Sequence, residues 1–261
     1  MSEQNIYQYK WPNDPRPEFV YRYRGTNQDR LRQIIIENEL YFCSATQVND
    51  PFDSKVHLTF EGTKQEKLNF VKELISEHYS HFSREDRRKL ERRFLKSFSV
   101  LRSDIADKFL ADFGICCFST KNDDILMWSH YSDSHSGVCL QFRVDIESES
   151  VFHVLFKVTY QQAFPTVSYL KDNPKVYMPK ILLTKSQRWS HEDEWRILST
   201  ATRPGPIKFN PKVLTGLIFG CQAEEQFKST IIRLMEARPE IKLYQAKTRK
   251  KEYELDIVPI S

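Results

Sequence analysis

The sequence predicts an α+β fold with mixed or antiparallel sheet and a helical insertion, and three observations predict it. Short apolar runs bounded by turn residues recur along the chain, few of them in the regular strand-helix alternation of a parallel sheet. Between residues 64 and 113 the pattern changes to long charged stretches of helical period. Of 261 residues, 40% are hydrophobic and 28% charged, which supplies a substantial core without the charge excess of a disordered chain. The expected organisation is one domain over 1–261, with 64–113 inserted in it.

Each element follows from local pattern. Residues 1–18 are polar and carry Pro12, Pro15 and Pro17, which suits an extended lead-in. Phe19 to Arg24 alternates aromatic and basic residues as a half-buried strand does. Thr26 or Asn27 is placed to cap a helix over 29–38, in which Leu31, Ile34 and Ile35 share a face. A short strand at 40–43 follows, then a loop over 44–53 set by its Asn-Asp-Pro content. Within the insertion, Ser83 caps the basic segment 84–93.

Strands are expected next at 115–119, 138–142 and 154–160, with a helix at 176–183. A segment from Lys185 to Arg196 then places two acids, Glu192 and Glu194, between two tryptophans and two arginines. Read as a strand running into Ile197 and Leu198, it puts Glu192, Glu194 and Arg196 on one face, with Asp193 and Trp195 on the other. A strand at 213–219, a helix at 224–237 and a hairpin of 241–246 with 253–258 complete the chain.

Composition narrows the function classes. The net charge of +4 favours phosphorylated ligands only mildly. Aromatic residues reach 13%, a supply that fills cores and also offers surfaces for stacking nicotinamide or nucleobases. No secretion signal or apolar run of membrane-spanning length occurs, so a cytoplasmic protein without a membrane partner is expected. The five cysteines form no Cys-x-x-Cys pair and read as buried reduced thiols rather than zinc ligands. Only 7 glycines are present, and no glycine-rich phosphate loop or Gly-x-Ser-x-Gly motif occurs.

Like charges at the spacing of Glu192 and Glu194 repel unless a cation lies between them, so they mark either an ion-pair network or a site that stabilises developing positive charge. Asn49, Asp50 and Asp53 form an acidic turn that serves as Asx capping around Pro51 or as a substrate-facing loop. His130 is a candidate acid-base group. The basic runs 84–93 and 247–251 are solvated faces or contacts to a phosphate backbone.

Four segments taken together carry a resemblance: Tyr23 to Thr26, Asn49 to Asp53, Phe118 to Thr120 through Met127 to Tyr131, and Glu192 to Arg196. In this order they resemble a widespread bacterial family catalogued as domain of unknown function 2971. More distantly, Arg24, Ser119 with Thr120, and Glu192 with Glu194 resemble the motif order of Arg-specific ADP-ribosyltransferases, although Lys121 stands where that pattern has its second serine. That resemblance implies a split mixed sheet and transfer of ADP-ribose from NAD. Breaking the nicotinamide bond passes through an oxocarbenium-like state, which a fixed carboxylate stabilises.

By the resemblance, Glu194 takes this role and Glu192 orients or deprotonates the acceptor. Arg24 holds an NAD phosphate or ribose, Ser119 and Thr120 support the site, and Trp128 or Tyr131 packs on nicotinamide. Asn49, Asp50, Asp53 and His130 face the substrate. The implied protein is a toxin or antiviral-defence effector that modifies nucleic acid or protein and has an antitoxin or regulatory partner. Two other classes stay open. One is a non-catalytic nucleic-acid-binding or sensing module; the other is a metal-dependent nuclease using Asp50, Asp53, His130 and Glu192.

Overall fold

The computed structural model describes residues 15–96, 110–111, 113–144, 151–168, 170–172, 180–199 and 204–260. The lead-in before residue 15, residues 97–109 and 112 of the expected insertion, and residues 176–179 of the helix expected over 176–183 lie outside these residues. In chain order the elements are β1 (Phe19–Arg24), α1 (Gln28–Ile35), β2 (Glu39–Ser44), β3 (His57–Thr59), α2 (Lys64–His78), α3 (Arg84–Lys96), β4 (Gly114–Ser119) and α4 (Ile125–Tyr131). There follow β5 (Val138–Arg143), β6 (Leu155–Lys157), β7 (Thr159–Gln161), β8 (Thr166–Ser168), β9 (Thr184–Ser186), β10 (Glu194–Ser199) and β11 (Gly205–Lys208). The C-terminal part holds β12 (Leu214–Phe219), α5 (Glu225–Met235), β13 (Lys242–Thr248) and β14 (Leu255–Pro259).

The fold is mixed α+β, as the pattern of short strands implies. Two caps are those the sequence offers, Asn27 accepting from Arg30 N at the start of α1 and Ser83 Oγ accepting from Asp86 N at α3; Thr63 and Glu66 add a capping box on α2. The stretch expected as one strand over 154–160 is broken into β6 and β7, and these pair with different partners, β10 and β9.

A ten-stranded sheet runs β11-β2-β4-β1-β5-β12-β13-β14, with β10 branching from β4 and β6 from β10. Its pairings are antiparallel except β12 with β13, which are parallel and joined through α5. The sheet divides at β4. One edge of β4 is covered along its length by β10, from Ser119 opposite Glu194 to Gly114 opposite Ser199. The other edge is shared, β2 taking Gly114 and Ile115 while β1 touches it through Tyr21 opposite Ser119. Arg22 spans the resulting divergence, donating to Tyr41 O on β2 at 3.2 Å and standing 5.4 Å from the Phe118 ring centroid on β4.

Both faces of the sheet are covered. Val20, Leu31, Ile35, Leu140, Leu217 and Ile231 belong to the main core beneath α1 and α5. Cys139 and Ile218 alternate to the opposite face and pack with Tyr23, Met127 and Trp128 of α4. The turn after α4 is held by Asp133, whose carboxylate accepts from Thr26 N at 2.7 Å and Thr26 Oγ1 at 3.0 Å. A Cβ on Gly137 would lie 2.1 Å from Arg24 O, so only glycine lets β5 start this close to β1. No described helix is long and apolar enough to cross a membrane.

Candidate functional site

The site is assembled by two segments far apart in sequence. The first is the Asn-Asp-Pro loop, where Asp50 Oδ1 accepts from Phe52 N at 2.9 Å and Asp50 O accepts from Asp53 N at 3.0 Å. These bonds fold the turn back on itself and bury Asp50 and Asp53. The second runs from β9 through a 3₁₀ turn, Gln187–Glu192, into β10. Glu192 ends that turn, and Asp193 takes a left-handed φ of 41° before the strand opens at Glu194. Glu192 is therefore not a strand residue as expected; the left-handed step re-aims it, and it meets Glu194 through a shared cation.

That cation is Lys185 on β9, whose Nζ lies 2.5 Å from Glu192 Oε2 and 2.9 Å from Glu194 Oε2, with Asp53 Oδ2 at 4.0 Å. Arg196, with 0% exposure, lies two residues beyond Glu194 on the same strand face. Its Nε donates to Glu194 Oε1 at 2.8 Å and its Nη2 to Glu194 Oε2 at 3.0 Å. Its Nη1 and Nη2 grip Asp53 at 3.0 and 2.5 Å, and Nη1 also donates to Leu182 O at 2.7 Å. All five guanidinium N–H groups are thereby used. Tyr131 Oη donates to Glu192 Oε1 at 2.7 Å and accepts from Asn49 Nδ2 at 3.2 Å.

Three buried carboxylates thus share two buried cations. Burial by itself raises the pKa of Glu194, but Arg196 and Lys185 outweigh it and hold the carboxyl down to about 2. Burial lowers the pKa of Lys185, yet Glu194 and Glu192 reverse this and leave it above the ordinary lysine value. Tyr131 is raised by burial and by the Glu192 charge, so its hydroxyl stays a donor.

Lys185 and Asp50 also line a neighbouring cavity of about 460 Å³, which meets the cluster through Lys185 and not through Asp53, Glu192, Glu194 or Arg196. Phe52, Phe164 and Trp189 give it flat apolar walls, and exposed Lys55 and Arg188 add positive charge. Trp189 is fixed from both sides: its indole N–H donates to Asp50 Oδ2 at 2.6 Å, and Lys185 Nζ lies 5.2 Å from its ring centroid. Phe52 and Phe164 remain 65% and 49% exposed, so their rings are free to meet a ligand. Aromatic walls with cations at the rim suit a ring-bearing, phosphorylated molecule.

Of the predicted site residues, Asn49, Asp50, Asp53, Tyr131, Glu192 and Glu194 are brought together here. Ser119 and Thr120 adjoin them as clamps. Ser119 Oγ donates to Glu192 O at 2.5 Å, and Thr120 Oγ1 bonds the Asp193 carboxylate, which fixes the 3₁₀ turn against β4. His130 is exposed, its ring 6.2 Å from that of Trp189.

Two expectations are corrected. Trp128 is 0% exposed, with its indole N–H on Asn122 O at 2.8 Å and Tyr23 edge-on at 5.1 Å, so it is core and offers no face to nicotinamide. Arg24 does not join the acids. Tyr21, Ser119 and Glu194 form one row of registered partners and share a face, whereas Arg24 alternates with Arg22 to the other face. Arg24 Nη1 instead donates to Tyr23 O at 3.1 Å.

Sequence reasoning missed Lys185, Phe52, Lys55, Phe164 and Arg188 as site residues. Lys185 carried a signal, a cation two residues after the apolar run Ile181-Leu182-Leu183 and therefore a candidate buried counter-ion. The others lie on loops and, for Arg188, on the 3₁₀ turn, and their approach to one another has no local signature. Among the described residues no group of three His, Cys, Asp or Glu side chains is arranged to hold a metal ion. Asp50, Asp53 and Glu192, proposed as ligands for a nuclease metal, each face N–H or O–H donors instead.

No curated protein and no solved structure matches the chain. Residues 127–197, which run from α4 through Glu194 and Arg196 into β10, match the model of the family described as protein of unknown function (DUF2971), the family that the sequence motifs resembled.

Proposed function

We propose that this protein is an NAD-dependent ADP-ribosyltransferase, acting in the cytoplasm as a toxin or antiviral-defence effector on nucleic acid or protein. The observation that carries this reading is the excess negative charge of the cluster, which adjoins the cavity through Lys185: Asp53, Glu192 and Glu194 against Lys185 and Arg196. Prearranged carboxylates, one of them ionised down to about pH 2, stabilise a cationic sugar without any reorganisation at the moment of reaction. The pairing of β4 with β10, which bear the Ser and Glu motifs, also supports it, as does the division of the sheet at β4. In this reading the fold is of the ADP-ribosyltransferase kind. Five free thiols fit a reducing compartment.

Trp189, Phe52 and Phe164 bind the flat rings, while Lys55 and Arg188 take the phosphates in place of Arg24. Glu194 holds its charge through Arg196 and Lys185. Glu192, with Tyr131 on its other oxygen, orients or deprotonates the acceptor. Tyr131 steers Glu192 without giving up its own proton.

The test is incubation with NAD labelled in its adenylate half, resolving free ADP-ribose from label attached to protein or RNA. Glu192→Gln is expected to lower turnover at least about a hundredfold, within the range of a general acid-base group. Its melting temperature is measured alongside, so that lost activity is separated from lost fold. Full turnover in a folded Glu192→Gln variant contradicts the assignment.

A further inference from the structure

The helical insertion carries a second cavity, remote in sequence from the Trp189 site, with no role in the reading above. It lies between α2 and α3, has a volume of about 200 Å³, and is lined by Lys72, Arg84, Arg87, Arg88, Glu91 and two α2 neighbours. Four cations thus face one acid. The other acids of this stretch are engaged elsewhere. Glu85 pairs with Lys89 at 2.9 Å, and Asp86 pairs with Lys89 at 3.9 Å while accepting from Ser83 Oγ at 2.7 Å. No ion pair to a described carboxylate reaches Arg84, Arg87 or Arg88, and Arg87 Nε is buried without a hydrogen-bond partner.

A buried N–H left unpaired beside three further cations is costly unless a ligand completes it. Helix α3 has no fully buried residue; Arg87 and Glu91 are half-buried against α2, while Arg84 and Arg88 are exposed. Arg84, Arg87 and Arg88 stand at i, i+3 and i+4, side by side on one helix face. Guanidinium forks match phosphate oxygens in pairs, which favours a phosphate over a lone carboxylate. The small volume admits one phosphate group at a time, and Arg92 and Arg93 extend the positive charge along the same helix. We infer that the α2–α3 cavity is a phosphodiester-binding site that grips the backbone of a nucleic acid strand.

The probe is a 5′-fluorescein single-stranded DNA of about 20 nucleotides, followed by anisotropy against salt concentration for the full chain. Wild type is compared with R84Q/R87Q/R88Q and with K72Q, which removes a cation from the other helix. Losing the three guanidinium groups that hold the one bound phosphate is expected to weaken binding about tenfold or more and to make the log K versus log salt slope shallower by about 0.7; K72Q shifts both in the same direction by less. Unchanged melting temperatures show that the variants fold, as the absence of buried α3 residues predicts. Polyglutamate and inorganic phosphate are run as competitors and are expected to displace the strand only at far higher concentration. Wild type failing to bind at about 50 mM salt, a triple variant with unaltered affinity and slope, or either competitor displacing the strand at matched charge each overturns the inference.

Discussion

Replacing Arg196 by methionine is expected to lower the unfolding free energy by about 3–5 kcal/mol, the largest single effect anticipated in this protein. Methionine keeps an unbranched, space-filling chain but removes every donor. Asp53, Glu194 and Leu182 O lose their guanidinium partner in a buried interior. Lys185 remains, yet it is already shared with Glu192. The cost is the desolvation left uncompensated, so a cycle with Asp53→Asn tests it: the double variant should lose less than the sum of the single ones. Urea denaturation gives both values, and a loss below about 1 kcal/mol for R196M would mean that the cluster is wetter and looser than its burial implies.

The second large effect is a pH dependence with a definite sign. Glu194 has a folded pKa of about 2 against an ordinary value of 4.5. A depressed carboxyl contributes stability that is fully present above its unfolded pKa and is lost as pH falls through the folded one. About 3 kcal/mol should therefore disappear between pH 4.5 and pH 2. Lys185 has the opposite sense: its raised pKa contributes stability below pH 10.5 that is lost only as pH rises through the folded value. Comparing wild type with Glu194→Gln isolates the acid limb. The gap between them should be widest near neutrality and close toward pH 2, since a protonated glutamate and a glutamine are alike there. A gap that stays constant across that window would show that Glu194 is not the titrating partner of Arg196 and Lys185.

Much of the scaffold was legible because it rests on local signals. Alternation gave β1 to the residue, Asn27 and Ser83 declared the starts of α1 and α3, and the basic turn between two apolar runs marked the β13–β14 hairpin. The short strands β3, β8, β9 and β11 escaped because three or four residues carry too little pattern to outweigh their surroundings. At the site, the motif residues Glu192, Glu194, Arg196 and Asp53 could be named, but not their partition. One left-handed residue, Asp193, moves Glu192 off the strand face on which alternation had placed it. The faces of β1 and β10 relative to one another depend on the Tyr21–Ser119–Glu194 register, a tertiary fact, and that register separates Arg24 from the acids. Trp128 shows the same limit from the other side: it stands in a motif, but its N–H has a backbone partner and its ring belongs to the core.

The central claim is that the cavity walled by Trp189 binds NAD beside the acidic cluster, and binding can be measured without knowing the acceptor. Isothermal titration of the full chain with NAD is predicted to give saturable binding, weakened about tenfold or more in Trp189→Ala, because one stacked ring contributes roughly 1–3 kcal/mol. No binding heat from wild type up to millimolar NAD, or equal affinity in a folded Trp189→Ala variant, would contradict it.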